Sequence, residues 1–388
     1  MKRRDFLQAG AAAALSAPQR IPGANDRVRV ALIGAGGRGR SVTRYASRTA
    51  NVEVAAVSDV YVPRREQAAQ ELGAAAKPAK DYREILDRKD IDGVIIATPD
   101  HWHTPMILEA VSAGKDVYCE KPVTQRLEEG DQLIAGVENS KQIVATGTQQ
   151  RSWDHYLAAK DVVASGELGQ IPFVETWWYQ NYLTSKDPGE VDVSQLDWEQ
   201  WLGPRPKQPF DAMKFRRWRF FWDFGGGIFT DLLTHWIDVV QWFMDSPRPQ
   251  RVQASGSTHA TPWLESPDTV TATIVYPQNY TVLYHSSMIG HLEGGGIIFR
   301  GSKAMLKLTR DGFAVYPEGV VRAEFTNLPD PVRKMEQTGD GTKTNVENWI
   351  ECIRTRKTPN ADVRAGVEAA RTSHLANIAM RQEKIVRS

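Results

Sequence analysis

Short apolar runs alternate with helical stretches through the first 150 residues. Val28–Ile33, Val52–Asp59, Gly93–Thr98, Lys115–Glu120 and Ile143–Gly147 have the composition of buried strands. Between them, helices are predicted over Tyr82–Leu86, Pro105–Ala113 and Leu127–Asn139. This alternation predicts a doubly wound parallel sheet covered by helices. Past Gln150 the texture changes. Strands are predicted at Ile171–Tyr179, Arg251–Ser255, Thr269–Tyr276, Thr281–Ser287, Gly296–Gly301 and Ala304–Leu308, several joined by short turns. Helices are predicted at Tyr156–Ser165, Ile228–Met244, Thr344–Arg354 and Arg364–Arg381. The expectation is an α/β chain: a parallel-sheet domain over 26–150, then an α+β domain over 151–388 with a largely antiparallel open sheet. The irregular connection from Leu183 to Trp222 is long enough to line or cover a site.

Composition narrows the picture. The 388 residues are 41% hydrophobic, enough for two cores, and carry 48 basic against 47 acidic side chains. That balance argues against a dedicated nucleic-acid surface. Two cysteines, Cys119 and Cys352, allow neither a disulfide framework nor a cysteine-rich metal site. Residues 1–25 stand apart as a leader. Arg3-Arg4 followed by the alanine-rich run from Ala9 to Ala17 resembles a twin-arginine export signal and is too short and mild to stay inserted in a bilayer. Export of a folded protein to the periplasm, by that machinery, would favour a tightly held cofactor regenerated in place.

The chemistry begins at the end of the first strand. Gly34-Ala35-Gly36-Gly37-Arg38-Gly39 has the glycine spacing of a Rossmann dinucleotide loop, placed between a strand and a helix. Asp59 closes the second strand, where a carboxylate accepts hydrogen bonds from the adenosine ribose and repels a 2′-phosphate. That favours NAD; Arg38, Arg40, Arg64 and Arg65 would favour NADP if the acid turned aside. Glu120-Lys121-Pro122 ends a strand at the carboxyl edge of the sheet, where a lysine can stabilise a developing alkoxide or merely precede a turn. In Gly225-Gly226-Gly227 through Asp238, Asp231 and His235 stand four apart on one helix face. A neutral imidazole there can accept a hydroxyl proton, with the carboxylate orienting it; a satisfied core histidine is the plainer alternative.

Together these residues resemble the Gfo/Idh/MocA oxidoreductase family, through the glycine turn, Thr98-Pro99 with His103, Glu120-Lys121-Pro122, and Asp231-x-x-x-His235. The resemblance implies that Lys121, Asp231 and His235 form the catalytic group, with His235 as acid/base. It further implies that Thr98, Pro99, His103 and Glu120 line the cofactor, with His101 and Trp102 in the same segment, and that Gln149 and Arg151 lie near the domain junction. Family members are commonly oligomers. His101-x-His103 lacks a third metal ligand, so no metal is expected.

Nine of the 12 tryptophans fall between Trp177 and Trp263. Aromatic faces stack on sugar rings, so Trp178, Tyr179, Tyr182, Arg217 and Trp218 are the expected carbohydrate contacts, with core packing as the alternative for any one of them. Three activities remain open: hydride transfer from a secondary hydroxyl of a sugar, sugar derivative or polyol; redox-neutral glycoside cleavage like that of glycoside hydrolase family 109; or binding without turnover.

Overall fold

Val28–Ile33 (β1) is buried along nearly its whole length, as a strand covered on both faces must be. It is central in a six-stranded parallel sheet. Its companions are Val52–Ser58 (β2), Lys77–Ala79 (β3), Gly93–Ile96 (β4), Asp116–Cys119 (β5) and Val144–Thr146 (β6), in the order β3-β2-β1-β4-β5-β6. The order reverses between β1 and β4, and doubly wound sheets take their ligands at the carboxyl ends beside such a switch. The structure, a computed structural model, describes residues 27–73, 75–181, 186–317 and 330–388.

The second sheet has nine strands among the described residues. They are Phe173–Tyr179 (β7), Arg251–Ser257 (β8), Thr269–Tyr276 (β9), Tyr280–Ser287 (β10), Gly295–Arg300 (β11), Ala304–Thr309 (β12), Gly312–Pro317 (β13), Arg333–Glu336 (β14) and Val386–Arg387 (β15). Their order is β14-β13-β12-β11-β7-β10-β9-β8-β15. Every pair is antiparallel except β7 with β10, which lie parallel at the middle of the sheet. Burial alternates along β9 and β10, so one face packs on helices and the other is open. The Val363–Arg381 helix, capped by the Asp362 carboxylate on the Ala365 N–H, packs against β8 and against the Thr234–Phe243 helix.

The two sheets are joined by packed helices. Trp349 and Ile350, on the Gly341–Thr355 helix, are fully buried in the core beneath β1 and β2. A segment from the far end of the chain thus completes one face of the first sheet. The Thr146 N–H of β6 donates to the Ala361 carbonyl at 2.8 Å, and Val363 and Val367 enter the same domain's other core. The helix expected over Ile228–Met244 is divided: Phe229–Leu233 forms a wide π turn, with the Thr234 N–H reaching back to the Phe229 carbonyl, before regular helix follows. Such turns recur at functional sites.

Candidate active site

The turn after β1 explains its glycines. Gly34 has φ +90°, and a Cβ there would lie 2.7 Å from the Ala97 carbonyl carbon at the end of β4. A Cβ on Gly39 would lie 2.1 Å from the Gly34 carbonyl oxygen, so only glycine lets the Gly37–Arg48 helix start so near the strand. Gly36 and Gly37 border a groove of about 360 Å³, with open space where side chains would project. Thr98, Pro99 and Trp102 line it beyond β4, and Asp59 lies across from them. The Asp59 carboxylate accepts the Ala35 N–H at 2.7 Å and the Tyr61 N–H at 2.8 Å, so it also braces the turn. Burial pushes this carboxyl up, while Arg64 and the two amides pull against the rise. Of the arginines considered for a 2′-phosphate, Arg38 donates to Glu120 at 2.8 Å and Arg40 pairs with Glu71. Arg65 donates to the Asp59 carbonyl, and Arg64 stacks over Phe215 at 4.7 Å.

The opposite wall of the groove comes from the connection between β7 and β8. Trp201, Phe215, Arg216 and Trp218 all face it. This strap is fastened to the first domain: the Asp197 N–H donates to the Val60 carbonyl at 3.0 Å, Lys80 pairs with Asp197 at 3.0 Å, and Tyr61 bridges Leu196. An open cradle at a glycine turn, a helix start and a carboxylate opposite fit the pyrophosphate and ribose of NAD, which supplies a hydride acceptor when bound.

The groove leads into a cavity of about 220 Å³, the two sharing Arg38, Thr98, Trp218 and Arg219. Here the turn after β5 brings Lys121 to the π turn. The Lys121 Nζ donates to Asp231 Oδ1 at 2.7 Å and to the Asp231 carbonyl at 2.6 Å. Arg219 Nε donates to the same Oδ1 at 3.2 Å. Burial works to raise the Asp231 carboxyl, but the two cations outweigh it and hold it below the usual range. His235 stacks on Trp178, with ring centroids 5.7 Å apart, and lines the same cavity. Burial, followed by the charges of Lys121, Arg310 and Arg38, drives its pKa well below 6.5, so the ring is neutral at pH 7. His235 Nδ1 and Gln149 Oε1 are buried polar atoms without partners among the described residues. Both residues line this cavity, and unmet polar capacity in its wall suits a polar ligand. His103 ties the wall together: Nδ1 lies 2.6 Å from the Pro122 carbonyl and Nε2 2.9 Å from the Thr98 carbonyl.

Other expected contacts lie elsewhere. The His101 ring is buried against Trp201 and Phe224, with Nε2 on the Trp201 carbonyl, and lines neither cavity. Burial takes its pKa down to about 3, which marks a packing residue. Arg151 donates to both oxygens of the fully buried Asp238 and stacks over Trp242, away from the cavity. Arg217 lines neither cavity, and its Nε is buried. Tyr179 contacts His285 Nδ1 at 2.7 Å and borders a separate outer cavity of about 470 Å³. Tyr182 lies outside the described residues. Three cavity residues escaped the sequence reading. Arg219 follows the Ala212–Arg217 helix, Arg310 sits between β12 and β13, and Asp100 follows Pro99. Burial pushes the Asp100 carboxyl well above its ordinary range, against the pull of Arg219 and Lys121.

A dinucleotide groove opening onto a cavity that holds a paired lysine and a neutral histidine defines a two-domain dehydrogenase-like architecture. The chain belongs to the Gfo/Idh/MocA oxidoreductase family. Residues 28–148 match its NAD-binding Rossmann fold and residues 160–387 its C-terminal alpha/beta domain. Inositol 2-dehydrogenase of Salmonella typhimurium is 30% identical over 165 residues, 41% of this chain and 49% of that protein. A glycosyl hydrolase family 109 protein of Stenotrophomonas maltophilia is 35% identical over 181 residues, 43% of this chain and 38% of that protein. The chain thus spans about half or less of these curated relatives. Levoglucosan dehydrogenase, solved in complex with NADH and L-sorbose, shares the fold with a TM-score of 0.74. Its identity is 20%, over 93% of this chain and 98% of that one. Among the described residues no helix is long and apolar enough to cross a membrane, and no cluster of three or more His, Cys, Asp or Glu is arranged to hold a metal.

Proposed function

We propose that this chain is an NAD-dependent oxidoreductase that takes hydride from the carbon bearing a secondary hydroxyl in a sugar, sugar derivative or polyol. The observation that carries this reading is the Lys121–Asp231 pair at 2.7 Å, in one cavity with a neutral His235 at the end of the dinucleotide groove. Lys121 holds the substrate hydroxyl and stabilises the oxygen as charge develops on it. His235 accepts the hydroxyl proton, and Asp231, kept ionised, fixes the ammonium in place. The inositol and levoglucosan dehydrogenases among its relatives support a polyhydroxylated substrate.

A second reading, redox-neutral glycoside cleavage, is favoured by the outer cavity. It adjoins the inner one through Trp178 and Arg310 and offers room for a leaving group. In that sequence a ring ketone acidifies the neighbouring C–H, loss of that proton expels the glycosidic oxygen, water adds, and the hydride returns to the ketone. Incubating the purified protein with sugars, polyols and aryl glycosides separates the readings. Sustained reduction of added NAD supports the first, aglycone release without net reduction supports the second, and neither signal leaves a binding protein without turnover.

The Arg3-Arg4 leader, outside the described residues, supports export by the twin-arginine route to the periplasm. The double substitution Arg3→Lys, Arg4→Lys should retain the protein in the cytoplasm on cell fractionation; normal export of this variant would refute the assignment. The open face of the second sheet supports homo-oligomer formation, which light scattering on the purified protein tests directly.

A further inference from the structure

The charges of the inner cavity do not balance. Four cations, Arg38, Lys121, Arg219 and Arg310, face three carboxyl groups, Asp100, Glu120 and Asp231. Glu120 is taken by Arg38 at 2.8 Å. Asp231 is shared by Lys121 and Arg219. Asp100, in its buried position, is held toward its neutral form. Among the described residues, Arg310 makes no ion pair, and its Nε is buried with no hydrogen-bond partner. A half-buried guanidinium without a counter-charge is costly, and proteins seldom keep one without a use for it. The phosphates of a dinucleotide do not answer it, because Arg310 does not line the glycine-turn groove.

The surroundings of Arg310 are built rather than incidental. Its guanidinium lies 4.7 Å from the centroid of Trp178 and 5.8 Å from that of Trp236. Cation–π contact with these two indoles holds the guanidinium at the cavity wall, where its N–H groups meet a ligand. Trp178 also stacks with His235, so one indole touches both the arginine and the proposed base. Arg310 also borders both the inner and the outer cavity, so it faces whatever part of a substrate lies beyond the reacting carbon. The acids Glu293 and Asp311 line the outer cavity, which directs an anion to the inner side of Arg310.

We propose that Arg310 receives an anionic group of the substrate, so that the chain acts on acidic sugars, free or glycosidically linked, in preference to neutral ones. This rests on the reading of the cavity as a sugar-oxidising site. A carboxylate of a uronic acid and a sulfate ester share the required chemistry, since both present paired oxygens to the guanidinium fork.

Calorimetric titration of the NAD-saturated protein tests this, with glucose, galactose and mannose set against the matching uronic acids and 6-sulfates. The expected result is that at least one acidic sugar binds about tenfold to a hundredfold more tightly than its neutral counterpart, the range of a charge-assisted bidentate contact. Arg310→Met brings that ratio close to one. Arg310→Lys, which keeps the charge without the fork, leaves an intermediate ratio and serves if the methionine variant does not fold. A larger gain for the sulfates than for the uronates identifies the ester as the source of the anion. Equal binding of every acidic and neutral pair, or a preference that survives both substitutions, overturns the proposal. Because the readout is binding, a failure of hydride transfer counts against the proposed reaction alone.

Discussion

Lys121→Ala should lower kcat by about a hundredfold to a thousandfold, the loss that follows removal of one donor to a developing oxyanion. The unfolding midpoint should barely move, because Asp231 keeps Arg219 at 3.2 Å as a partner. The effect belongs on kcat more than on KM, since the ammonium acts most strongly once charge has formed on oxygen. His235→Ala should cost a similar factor through loss of the base. The pH profile gives an independent check. A base works only when neutral, and burial with three nearby cations holds the His235 pKa well below 6.5. The acid limb of kcat/KM therefore falls below pH 6.5 in the wild type. In Lys121→Ala one of those cations is gone, so the limb moves to higher pH. Near-normal turnover in either variant would remove that residue from the reaction.

Asp231→Ala should lose turnover to at least the same extent and, unlike Lys121→Ala, should also destabilise the fold. The Lys121 and Asp231 side chains are only 11% and 14% exposed. Deleting the carboxylate leaves the Lys121 ammonium on the main-chain carbonyl of residue 231 but without its counter-charge, in a cavity whose remaining acids are Glu120 and Asp100. Breaking a buried pair from one side costs about 3–5 kcal/mol, and the partial exposure of Arg219 sets the expectation at the lower end, about 3 kcal/mol by urea unfolding. The double variant Lys121→Ala, Asp231→Ala should recover part of that loss, because the orphaned ammonium is removed as well. A single Asp231→Ala protein as stable as the wild type would mean that the cavity tolerates its surplus charge without help.

Much of this site was legible because its chemistry is carried by local spacing. Gly34, Gly36 and Gly39 act within one turn, Asp231 and His235 within one stretch of helix, and Lys121 at the end of one strand. The positions that escaped depend on distant parts of the chain. Arg310 reaches the cavity only because β12 and β13 turn back beside Trp178, and no neighbouring residue announces that. His101 shares a short segment with His103, yet its ring turns toward Trp201 and Phe224; side-chain direction in an irregular turn leaves no periodic trace. Among the strands, β14 is the polar run Arg333–Glu336 and β15 is two residues long, so neither carries an apolar pattern. The parallel pairing of β7 with β10 likewise joins segments far apart in sequence. The π turn at Phe229–Leu233 has an ordinary helical composition, and propensity does not separate the two windings.

The strap between β7 and β8 bears on kinetics. A molecule lying along the groove is roofed by Trp201, Phe215 and Trp218, and the roof is pinned at Val60, Tyr61 and Lys80. Departure therefore works against these fastenings, so loosening the strap at Asp197 should speed the release of a bound dinucleotide.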